Sequence, residues 1–141
     1  MNFEMIGPVI VLGLGCMGSA IGCGIAGMAS HGVMTRVEEG HGKFIGLSIA
    51  PSTQSILGFI LMILMKNAIT DGALSPLSGI GIGLFVGLAL MTSSIYQGKC
   101  AATAIQATAK QPSVFGKAFT ALGVIESFAL FAFVFALLLL R

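Results

Sequence analysis

Glu126 is the one acidic residue that lies inside an apolar run, in Leu122-Gly123-Val124-Ile125-Glu126-Ser127-Phe128-Ala129. The other four carboxylates, Glu4, Glu38, Glu39 and Asp71, fall near the start of the chain or in polar breaks, where water or headgroups solvate them. An ionised carboxylate among hydrocarbon costs several kcal/mol unless it is paired, coordinated or protonated. Its presence at Glu126 therefore points to the movement of an ion or a proton. A second polar group stands in Pro51-Ser52-Thr53-Gln54-Ser55, and a third in Tyr96-Gln97-Gly98-Lys99. Pro51 has no backbone N–H, so the carbonyl of Leu47 loses its usual helical partner and the helix bends there. Freed carbonyls in an interrupted membrane helix are suited to cation binding. Glu126, Gln54, Gln97 and Thr53 together offer four or five oxygens, a shell for a desolvated monovalent cation; divalent sites gather more carboxylates.

These residues must be positioned by helices within a bilayer. The 141-residue chain is 56% hydrophobic and only 9% charged, and its mean hydropathy is +1.02. A water-soluble domain carries about 25% charged residues. Four apolar runs, Met5–Met34, Phe44–Met65, Leu77–Thr108 and Ala118–Leu140, each reach the roughly 20 residues that cross a bilayer core as helix. The breaks between them hold charge, Gly or Pro: Arg36–Lys43, Lys66–Pro76 and Lys110–Lys117. They are too short for a soluble domain. Arg36, Lys43, Lys110 and Lys117 lie in the first and third breaks, which the positive-inside rule puts in the cytoplasm, with both termini on the other face. The first run lacks a positive flank and is too long for the core of a signal peptide, so it is expected to remain as a transmembrane helix.

The halves echo each other: a Gly-rich helix, a polar break, Gly-Lys, then an apolar helix. Gly42-Lys43 opens the second run, and Gly116-Lys117 opens the fourth. The expected fold is all-α, four transmembrane helices as two fused hairpins, residues 1–69 and 70–141, in one membrane domain. Small residues recur at spacing four in the first helix (Gly18, Gly22, Ala26) and in the third (Gly79, Gly83, Gly87; Ser94, Gly98, Ala102). They occupy more than one face, which suits helices packed on both sides in a closed ring of copies; tight packing within one bundle is the alternative.

Other signals are weaker. A net charge of +2 with no basic stripe excludes a nucleic-acid partner. Gly13, Gly15 and Gly18 spell a dinucleotide-type spacing but follow no strand. Cys16, Cys23 and Cys100 form no metal or disulfide pattern and read as buried thiols. Lys99, two positions after Gln97, is about 200° around the helix and should point away from the polar group.

The Gly-rich first helix, Pro51-Ser52-Thr53-Gln54, Tyr96-Gln97-Gly98-Lys99-Cys100-Ala101-Ala102 and Val124-Ile125-Glu126-Ser127 together resemble the membrane rotor proteolipid of V-type ATPases, the c subunit or subunit K, in its four-helix prokaryotic form. The resemblance covers nearly the whole chain. It implies a homo-oligomeric ring with the first and third helices inside, in the plasma membrane of a bacterium or archaeon and surrounded by lipids. It implies a stator subunit supplying an Arg, and a central stalk turned by other subunits that hydrolyse ATP. This chain would be no enzyme and would hold no cofactor; it has no phosphate-binding Gly-Lys loop. Glu126 would carry the transported ion, Na+ or H+, and Gln54 would take the matching place in the first hairpin. For sodium the implied ligands are Glu126, Gln54, Gln97, Thr53 and the backbone oxygen of Ala50. A Tyr often found one turn after the Thr is Leu57 here, which removes a hydroxyl, yet the amide and hydroxyl ligands favour sodium over a proton. A small four-helix cation or drug antiporter built around Glu126 is the competing expectation.

Overall fold

In the computed structural model, which describes residues 3–140, the polypeptide is entirely helical apart from its turns. A 3-10 turn, Phe3–Met5, leads into α1, Ile6–Met34. Helix α2, His41–Ile49, passes through a 3-10 turn, Ala50–Ser52, into α3, Thr53–Thr70. Helix α4 is Pro76–Lys110, and the 3-10 turn Pro112–Val114 opens α5, Phe115–Leu138. Four helical stretches are long and apolar enough to cross a membrane: Phe3–Met34, His41–Thr70, Pro76–Lys110 and Pro112–Leu138. They form two fused hairpins, α1 with α2–α3 and α4 with α5.

The helices run past the apolar limits expected from sequence. Lys66-Asn67-Ala68-Ile69-Thr70 holds neither Gly nor Pro and stays helical, because a helix leaving the hydrocarbon keeps its internal hydrogen bonds while its polar side chains meet headgroups. Gly72 ends the turn with φ +75°, a conformation open to glycine at little cost. Ser75 then caps α4, its Oγ accepting from Ser78 N at 3.1 Å, with Pro76 at the first helical position. On the opposite side Gly40, φ +82°, turns the chain into α2.

The long helices α1 and α4 form the central pair. Glycines make this possible. A Cβ at Gly22 would overlap the carbonyl oxygen of Ser94, and one at Gly98 would overlap the backbone of Gly22. Gly7 stands in the same relation to Gly79, and Gly83 to Gly7. Close backbone approach of this kind gives dispersion contact where no hydrophobic force acts between helices. One small-residue face of α1 is thus filled within the chain itself. A Cβ at Gly13, Gly24 or Gly27 would meet nothing within 4 Å, so a second small face is left open.

Three layers stack along the bundle. Ala26, Phe44, Leu47, Ala101, Ala104, Ile105 and Leu122 make an apolar core nearer the turns at 35–40 and 111–114. Val11, Leu61, Met65, Leu90, Ala129 and Ala136 make another toward the opposite end. Between them lies a thin polar layer.

Candidate functional site

The polar layer is built where the second span is broken. With no N–H at Pro51, the α-helix stops at Ile49, a 3-10 turn carries the chain across Ala50–Ser52, and a regular α-helix resumes at Thr53. Gln54 lies two residues beyond the break and is fully buried, as is Gln97 on α4. Gln54 Nε2 donates to Gln97 Oε1 at 3.1 Å. Gln97 Nε2 donates in turn to the carbonyl of Leu122 on α5 at 3.2 Å. On the other side, the half-buried Thr53 places its hydroxyl 3.3 Å from Gln54 Oε1 and 3.4 Å from the Ala50 carbonyl. Thr53, Gln54, Gln97 and the Ala50 oxygen therefore form one hydrogen-bonded chain reaching from α3 through α4 to α5. Burying two amides without partners would cost several kcal/mol, and this pairing offsets that cost.

Glu126 is half-buried on α5. Leu122, Ala129 and Ala136 are buried on the same helix, four residues before Glu126 and three and ten after it. Residues three and four apart share a face, so Glu126 belongs to the stripe that α5 turns toward the bundle. It stands one turn after Leu122, the residue whose carbonyl takes the Gln97 amide. Its carboxylate is not a member of the amide chain. No group of three or more His, Cys, Asp or Glu gathers among the described residues. The layer thus offers one carboxylate and several neutral oxygens, a set whose charge a single monovalent cation or one proton balances.

Three serines of this layer carry bonds that the sequence did not single out: Ser94 counted there only as a small residue, and Ser19 and Ser93 were not named. Ser94 Oγ donates to the Pro51 carbonyl at 2.6 Å. Ser19 Oγ accepts from the backbone N–H of Ser55 at 3.1 Å. Ser93 Oγ donates to the Ile125 carbonyl at 3.1 Å. The available signal was hydroxyls at the same level as Gln54 and Gln97 on helices otherwise lined with Gly and Ala.

Other expectations meet mixed outcomes. Lys99 is exposed, on a different face from Gln97, with its ammonium 5.0 Å from the centre of the Tyr96 ring, a cation–π arrangement. Leu57 is half-buried and joins the apolar core around Leu61. The thiols are free, but they are not all buried: Cys16 is exposed on the open side of α1, and Cys23 and Cys100 are half-buried. A residue that is small and apolar gives no sign, by type alone, of which side of a small-residue helix its neighbours fill.

Known proteins resemble this chain along most of its length. The family model for the C subunit of ATP synthase matches residues 6–65 and, separately, residues 80–139, one match in each hairpin. A protein named A-type ATP synthase subunit K, from Methanocaldococcus jannaschii, is 36% identical over 124 residues, which is 86% of this chain and 56% of that protein. The chain thus spans little more than half the length of that relative. A protein named V-type sodium ATPase subunit K, from Enterococcus hirae, is 33% identical over 125 residues, covering 87% of this chain and 80% of that protein. The relatives divide between A-type and V-type enzymes, so the resemblance to the V-type proteolipid narrows only to rotary-ATPase proteolipids in general.

Proposed function

Because this chain belongs to the family of the ATP synthase C subunit, we propose that it is the non-catalytic, ion-carrying component of a rotor ring in the membrane sector of a V-type ATPase. Each copy carries one ion at Glu126. The observation that carries this reading is the polar layer itself: one half-buried carboxylate on α5 beside a buried amide–hydroxyl chain, enclosed above and below by apolar cores.

The chemistry follows from charge. Bound to an ion, Glu126 is neutral and can pass through lipid; empty, it is a carboxylate whose desolvation is costly. It therefore exchanges its ion only where water or an opposite charge is at hand. A stator subunit supplying an Arg provides that charge, releasing the ion into one aqueous path as the next site loads from another. Rotation driven by ATP hydrolysis in other subunits, through a central stalk, makes the exchange directional. The open small face of α1, with Gly13, Gly24 and Gly27, suits contact with a neighbouring copy in the ring. The end of the bundle that carries Arg36, Lys43, Lys110 and Lys117 lies in the cytoplasm, and the termini lie on the other side.

The transported ion is sodium. Thr53, Gln54, Gln97 and the Ala50 carbonyl give neutral oxygens beside Glu126, as dehydration of a sodium ion demands, whereas a proton needs only the carboxylate and one acceptor. The Enterococcus relative carries sodium in its name. Carbodiimide labelling of the assembled ring in lipid tests the reading. Dicyclohexylcarbodiimide should modify Glu126 alone of the five carboxylates, and sodium chloride at fixed pH should slow the labelling where potassium chloride does not. Labelling without sodium protection at every pH tried would make the ring a proton carrier. A particle of monomer or dimer mass in lipid would remove the ring.

A further inference from the structure

Pro51 accounts for the interruption of the second span, but not for its shape. Four residues apart in an α-helix, the Pro51 carbonyl and the Ser55 N–H would bond to each other. Here a regular α-helix resumes only at Thr53, and both groups are taken by side chains of other helices. Ser94 Oγ of α4 donates to the Pro51 carbonyl at 2.6 Å, and the Ser55 N–H donates to Ser19 Oγ of α1 at 3.1 Å. Ser94 is fully buried, and Ser19 is 6% exposed, so water does not compete for either bond.

Ser19 reaches this backbone because α1 comes unusually near it. A Cβ at Gly15 would stand 2.9 Å from the Gln54 carbonyl, and one at Gly22 would stand 2.8 Å from Pro51 Cβ. The stretch held between the two bonds is Ser52-Thr53-Gln54, and Ala50 lies just before it. Three of the neutral oxygens assigned to the ion come from this short piece of chain.

We propose that Ser19 and Ser94 are positioning residues that set the preference for sodium over a proton: together they clamp the helix break open, so that the Ala50 carbonyl, Thr53 and Gln54 keep a cation-ligating arrangement. This rests on the ion-site reading given above. Without the clamp, the Pro51 carbonyl and the Ser55 N–H pair with each other, the turn winds toward α-helix, and Thr53 and Gln54 rotate with it. Sodium, which needs several oxygens at set distances, loses affinity. A proton on Glu126 needs none of that geometry and is held as before.

The test measures carbodiimide labelling of Glu126 in lipid-reconstituted rings at fixed pH over a sodium series, with potassium as the salt control. Ser94→Ala and Ser19→Ala should each raise the sodium concentration for half-protection by about tenfold, the equivalent of one buried hydrogen bond. The double variant should raise it further, and Ser94→Thr, which keeps the hydroxyl, should stay near wild type. Labelling without sodium should remain within about twofold of wild type, less than one hydrogen bond in free energy. Ser30→Ala is the matched comparison, since it removes a buried serine-to-carbonyl bond from α1 to Phe44 of α2, outside the polar layer, and it should leave the sodium requirement in place. If sodium protects the wild type and the Ser19 and Ser94 variants equally, or if Ser30→Ala shifts protection as far as Ser94→Ala, the clamp is overturned while the sodium site stands. If sodium fails to protect even the wild type, the sodium reading falls and takes the clamp with it. Should Ser94→Ala yield no rings, Ser19→Ala decides the matter from the other end of the break.

Discussion

The second helix of each hairpin occupies the same place in its repeat, yet the two are built in opposite ways. In the first hairpin the span is broken at Ala50–Ser52, and Gln54 beyond it is fully buried and bonded. In the second, α5 runs unbroken from Phe115 to Leu138, and Glu126 is half-buried. A break exposes backbone oxygens and must be shielded by neighbours. An unbroken helix satisfies its own backbone and can face lipid, as the exposed Val124, Phe128 and Phe131 of α5 do. The two repeats thus differ in helix continuity and in burial of the polar residue. On the proposed reading, the broken half would supply fixed neutral ligands inside the bundle, and the unbroken half would carry the exchangeable charge at its edge.

Exchanging the two side chains breaks this division most severely. Glu126→Gln should reduce ion transport by the reconstituted complex to background while the ring keeps its native mass. Adding Gln54→Glu should not restore transport, because position 54 is wholly enclosed and a carboxylate there would face the Gln97 Oε1 without a donor. That variant should also lose about 3 kcal/mol of stability, read as a lower melting temperature of the ring. Recovered transport in the double variant would mean that the halves are interchangeable.

A milder change makes the first hairpin resemble the second. Pro51→Ala restores a donor for the Leu47 carbonyl and favours a continuous helix across 50–52. The sodium needed for half-protection of Glu126 should rise about fivefold, near 1 kcal/mol, with labelling in the absence of sodium unaffected. An unchanged sodium requirement would show that the break has no part in ion selection.

Thr53→Ala sharpens the comparison at a single ligand. It removes a partly buried hydroxyl at 3.3 Å from Gln54 Oε1 and leaves the Gln54–Gln97 bond in place. Sodium protection should weaken by about threefold, at the low end of a hydrogen bond's contribution. A greater loss than that caused by Pro51→Ala would reverse the order of importance of the turn and its side chains.

The helices and the charge at Glu126 were legible in the chain because they depend on counts along it. A run of about 20 apolar residues has few options other than a membrane helix, and a carboxylate inside such a run is conspicuous by its cost. Pro51 marked the break because a missing N–H is a local fact. The helix ends were less legible: Lys66–Thr70 is polar enough to suggest a loop but contains nothing that stops a helix. Spacing four among glycines identified Gly22 and Gly98 as packing positions but not their partners, which are Ser94 and Gly22 of the same chain. Composition does not distinguish a glycine filled by the same chain from one, such as Gly24, that is left open.

The sequence by itself determined the membrane class, the four spans, the hairpin repeat and the chemical types available to the polar layer, since each follows from local composition and from the cost of placing polar groups in hydrocarbon. Only the tertiary structure decided which of those groups meet. Gln54 and Gln97 are 43 positions apart and bond through a shared depth in the bundle. Ser19 and Ser94 bond to backbone groups of the broken second span, which α1 approaches closely at Gly15 and Gly22. A hydrogen bond is decided within a few tenths of an ångström, and no spacing along a chain specifies how near two helices will stand.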